Sequence, residues 1–146
     1  MRHTYKYTPT SMSNKGKEIL RNLTADGFAM VCQENYIPNE WNGHDEINLM
    51  NVCHTYNFSF ARLLLPLSEP QEDGTTHLSV FVIANCCKQN PSVVHKDGEL
   101  KSFALSLCRP SGLDCIYIKE KDADGIYLNP RGQKIDDNRF DTCLSW

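Results

Sequence analysis

An extended chain places alternate residues on opposite faces, and residues 77–87 are apolar on both. Leu78, Val80, Val82, Ala84 and Cys86 project one way, while Phe81 and Ile83 project the other. A strand with two apolar faces cannot lie at a solvent-washed edge, so this segment is expected inside a sheet with cover on both sides. Shorter strand patterns surround it. Residues 28–32 (Phe-Ala-Met-Val-Cys) form a compact apolar run, and residues 58–67 form a longer one closed by Pro66 and Pro70.

Turn chemistry then suggests how strands follow one another. Val93-Val94-His95-Lys96, Asp97-Gly98 and Glu99-Leu100-Lys101 have the form of a two-residue hairpin. Its return strand would carry Phe103, Leu105 and Leu107 inward. Ile116-Tyr117-Ile118 and Ile126-Tyr127-Leu128 flank Lys121-Asp122-Ala123-Asp124-Gly125 as a last hairpin. Past Asn129 the chain is polar until Phe140, Cys143, Leu144 and Trp146, which are expected to dock back onto the domain or onto a partner.

Two helices are expected before the long strands. Ser13 or Asn14 caps one that runs to about Thr24, with Ile19, Leu20 and Leu23 as its apolar stripe and Asp26-Gly27 as its stop. Asp45 opens a second to about His54, whose narrow apolar side is expected to hold Ile47 and Met50. The fold expected is a single α+β domain: a mainly antiparallel sheet of about five to six strands, with both N-terminal-half helices packed on one face. Residues 1–12 read as a flexible arm and 13–146 as that domain.

Charge narrows the choice of partner. Fifteen Lys and Arg against 18 Asp and Glu leave a net charge of −3, which argues against a chain built to grip nucleic acid. The longest apolar runs, Leu63-Leu64-Leu65 and Val80-Phe81-Val82-Ile83-Ala84, are far too short to span a membrane. Seven cysteines, an odd number, include the adjacent pair Cys86-Cys87 and follow no secretory signal pattern. Reduced thiols in a cytoplasmic, intracellular protein are therefore expected, most of them acting as small buried apolar groups.

Four chemistries find partial support. A cysteine nucleophile needs an imidazole beside its thiolate, and Cys87 with His95, or Cys53 with His77, supplies the residue types. Hydrolysis of a phosphoester by two histidines needs His-x-Thr/Ser on two paired strands; His77-Leu78-Ser79 has that spacing and His54-Thr55 does not. Structural zinc wants ligand pairs two to four residues apart, whereas Cys108 and Cys115 are seven apart. Asp122-Ala123-Asp124-Gly125 has the start of a calcium loop but Arg131 where its glutamate belongs. No cofactor or metal is expected.

The function expected is therefore that of a small intracellular binding or regulatory protein, an inhibitor or adaptor such as a virus or other mobile element encodes. Its partner would be an unidentified protein, met through ring-bearing side chains in loops and ends, Tyr36, Trp41 and Trp146. The alternatives are a small Cys/His- or His/His-dependent hydrolase and a zinc-stabilised module.

Overall fold

The computed structural model describes residues 14–32, 43–67, 76–86, 90–111, 113, 115–138, 140–141 and 144. Its elements run α1 (Asn14–Thr24), β1 (Gly27–Cys32), α2 (Gly43–Thr55), β2 (Ser59–Pro66), β3 (His77–Ala84), α3 (Glu99–Ser111), β4 (Cys115–Glu120) and β5 (Ile126–Leu128). The strands form one five-stranded antiparallel sheet in the order β2-β3-β1-β4-β5. This is an α+β architecture, as the strand patterns require. Among the described residues no helix is long and apolar enough to cross a membrane.

The doubly apolar strand lies where its pattern demands. β3 sits between β2 and β1, and from Val80 to Ala84 every residue is buried. β1 is buried along its whole length. The last hairpin also forms, with Ile116 opposite Leu128 and Ile118 opposite Ile126.

Residues 99–111 depart from expectation: they are helix α3, not the return strand of a hairpin. Phe103, Leu105 and Leu107 alternate as a strand would. The same segment, however, sets Leu100, Ala104, Leu107 and Cys108 at helical spacing, and those four are buried. Asp97-Gly98 leads into the helix instead of reversing a strand. The Glu99 amide donates to the Lys96 carbonyl (3.1 Å) and the Ser102 amide to the Gly98 carbonyl (3.0 Å).

The expectation that both early helices share one face is also corrected. Leu20 and Leu23 of α1 pack with Met30, Val80, Val82, Tyr127 and Phe140 on one side of the sheet. Leu49 and Cys53 of α2 join Leu100, Ala104 and Cys108 of α3 over Val31, Phe81, Ile83 and Ile116 on the other. A sheet whose inner strands are apolar on both faces needs both layers. Within α2 the buried stripe is Leu49 and Cys53, and Ile47 is 55% exposed. Phe140 is fully buried and Leu144 packs beside it, so the polar tail does dock. The arm over residues 1–12 lies outside the described residues.

Candidate functional site

The antiparallel register gathers three chain segments at one end of the sheet. β1 begins there, β3 ends there and β4 ends there, because Gly27 faces Glu120 and Phe28 faces Ala84. Residues 91–97 rise beside them as a wall, enclosing a cleft of about 620 Å³. Its lining includes Asp26, Asn85, Cys86, Val94, His95 and Lys121. A shallower hollow of about 500 Å³ lies on the other side of the same wall, over Tyr56, Phe58 and Phe103.

His95 fixes that wall. Its Nε2 lies 2.8 Å from the Asn57 carbonyl, its Nδ1 lies 2.9 Å from Glu99 Oε2, and its ring stacks on Phe58 at 4.0 Å. The Asn57 carbonyl is placed by the way α2 ends. Asn57 adopts a left-handed φ of 67°, its amide donates to the His54 carbonyl, and the Phe58 amide donates to the Cys53 carbonyl. That is the pairing of a Schellman stop, with asparagine in the position where glycine is commonest. A carbonyl only accepts, so Nε2 must carry hydrogen. With a carboxylate at Nδ1, both ring nitrogens are satisfied together when both donate. The His95 hydrogen bond is the main cause holding the Glu99 carboxyl below its ordinary value, and the Lys96 amide adds to it.

This geometry bears on each expected catalytic residue. His95 lines the cleft alongside Cys86, but its two nitrogens face Asn57 and Glu99, so neither offers a lone pair to a thiol. Cys53 is fully buried in the α2–α3 core, and burial pushes its thiol up to about 12. His77 is exposed at the start of β3, opposite Pro66, with Nδ1 at 2.9 Å from Thr76 Oγ1. Cys53 precedes the other end of β2, so the length of that strand, about 25 Å at its usual rise, separates the two. Cys53 and His77 therefore do not meet. Cys87, Tyr36, Trp41 and Trp146 lie outside the described residues. Among the described residues, no three His, Cys, Asp or Glu side chains converge to hold a metal ion.

Other residues shape the site. Asn85 Nδ2 donates to the Asp26 carbonyl (3.2 Å) and the Asn85 amide donates to the Gly27 carbonyl (3.0 Å), which ties β3 to the start of β1. The Ser59 hydroxyl donates to the Cys86 carbonyl and fixes the next step of the chain. Glu99 opens α3 four residues after His95, a placement that becomes visible once residues 99–111 are recognised as a helix. At the tip of the wall Val94 is 87% exposed.

No family model, no curated protein and no solved structure matches this chain, so the geometry of this wall and its two hollows is what identifies the candidate site.

Proposed function

We propose that this chain is an intracellular protein-binding module that meets its partner with residues 91–97 and the hollows on either side. The observation that carries this reading is the bonding of His95. Both ring nitrogens and one ring face are spent on holding the segment still, while Val94 beside it points into solvent. Holding an apolar tip rigid lowers the entropy lost when a partner covers it. Tyr56, 60% exposed and tilted against Phe103 with ring centroids 5.6 Å apart, offers a second anchor in the shallower hollow. Tyr36, Trp41 and Trp146 remain candidates for the rest of the interface. The intracellular placement rests on the odd cysteine count and on the burial of Cys32, Cys53, Cys108 and Cys115.

Native mass spectrometry of the protein drawn gently from its source cell tests the reading. A stoichiometric second polypeptide is expected with the natural sequence and with a control substitution at exposed Arg131, Arg131→Glu. It should be lost with Val94→Asp, which leaves the core untouched. A bare chain of 16.7 kDa, or a partner retained by Val94→Asp, sinks the proposal.

A further inference from the structure

Among the described residues, the sheet has one long open edge. β2 is eight residues long and ends the strand order on its side. The opposite edge strand, β5, has three residues, and the chain returns along it through the Leu128–Lys134 bridge. Long edges are usually blunted by a charge, a bulge or an early proline. The single charge on β2 is Arg62, and it is drawn back over the sheet. Its Nε donates to Ser79 Oγ at 2.9 Å and lies 3.3 Å from Glu46 Oε1 on α2. Leu64, two residues on, is 57% exposed.

The register shows which backbone groups face out. The Leu67 amide donates to the Thr76 carbonyl (2.9 Å), and the β2–β3 pairing continues from it as Leu65–Leu78 and Leu63–Val80. In an antiparallel pair alternate residues hold the ladder, so Leu63 and Leu65 bond inward. Phe60, Arg62 and Leu64 turn their N–H and C=O groups away from β3.

We propose that this edge is a dimer interface, in which a second copy of the chain adds its own β2 antiparallel about a two-fold axis at Leu63. Registers centred on Ala61, Arg62, Leu63 and Leu64 bring outward groups together. An axis at Ala61 sets Leu64 opposite Phe58, whose amide is already given to the Cys53 carbonyl. An axis at Arg62 sets two guanidinium-bearing residues directly opposite each other, which is unfavourable. An axis at Leu64 puts Arg62 against Pro66, which has no N–H to give. An axis at Leu63 pairs Arg62 of one copy with Leu64 of the other, twice. Each such pair exchanges two hydrogen bonds, and the exposed Leu64 is covered by an arginine stem. On the α1 face the two half-buried Leu63 side chains meet across the axis, closing apolar surface there as well. The result is one continuous sheet across both molecules with a self-complementary contact.

Sedimentation or light scattering of the full chain over rising concentration, paired with amide hydrogen exchange, tests this. The natural sequence should approach twice 16.7 kDa, and the Arg62 and Leu64 amides should gain protection as it does. Leu64→Lys sets an ammonium opposite Arg62 of the other copy and should weaken the dimer roughly tenfold or more. Leu64→Glu sets a carboxylate there and should dimerise better than Leu64→Lys, although both remove the same apolar side chain. A monomer at every concentration overturns the proposal, whether those amides are open or already protected within one chain. So do equal dimerisation by the two variants and a dimer indifferent to both.

Discussion

His95 shows how a residue type that invites a catalytic reading can be wholly occupied by architecture. The residue was legible as a candidate; its occupation was not, because Asn57 lies 38 positions away in the chain. The partner Glu99 gives a pH signature. Its folded carboxyl titrates below its unfolded value, so its contribution to stability is complete above the ordinary carboxylate range, near 4.3, and is lost as pH falls through the folded value. The stability difference between the natural protein and Glu99→Gln should therefore shrink as pH falls through that range, as urea unfolding at a series of pH values would register. Cys53 gives the complementary test. A thiol pushed up to about 12 by burial is scarcely ionised at neutral pH, and the thiolate is the reacting form. Mass-resolved alkylation should leave Cys53 unlabelled in folded protein and label it on unfolding; rapid labelling in the native state would contradict this burial.

At the scale of elements, legibility followed how many structures a pattern could satisfy. β3 and the β4–β5 hairpin were readable because unbroken apolar alternation, and paired apolar runs around a turn, fit little else. Residues 99–111 satisfied two periods at once: Phe103, Leu105 and Leu107 at two, and Leu100, Ala104, Leu107 and Cys108 at helical spacing. Packing chose the second, because a sheet apolar on both faces needed another helix over Val31, Phe81 and Ile116. The junction from α1 to β1 was readable for its glycine. Gly27 has φ of +108°, and a Cβ there would sit 3.1 Å from Asn85 Nδ2 and 3.2 Å from the Lys119 carbonyl. Gly27→Ala should cost about 1–3 kcal/mol in a denaturant titration and loosen the cleft end of the sheet. β5 is held from outside by its own ring. The Tyr127 hydroxyl donates to Asp141 Oδ1 (2.7 Å) and accepts from the Phe140 amide (2.9 Å), and burial raises its pKa strongly. Tyr127→Phe leaves that buried amide without its acceptor. A loss of about 1–3 kcal/mol is expected, with hydrogen exchange accelerating first at Phe140.

For the molecule as a whole, the order of the strands sets a schedule. β1 is the middle strand, yet its neighbours come late in the chain: Phe28 faces Ala84, 84 − 28 = 56 positions on, and Gly27 faces Glu120, 120 − 27 = 93 positions on. Pairings so distant in sequence slow folding, because a long loop must close before the contact repays it. During synthesis the apolar run Gly27–Cys32 emerges early and gains its second flank only after β4 has left the ribosome. A nascent chain of this protein is thus most vulnerable through its first strand, and a chaperone that shields residues 27–32 until residue 120 has appeared is expected to raise its yield.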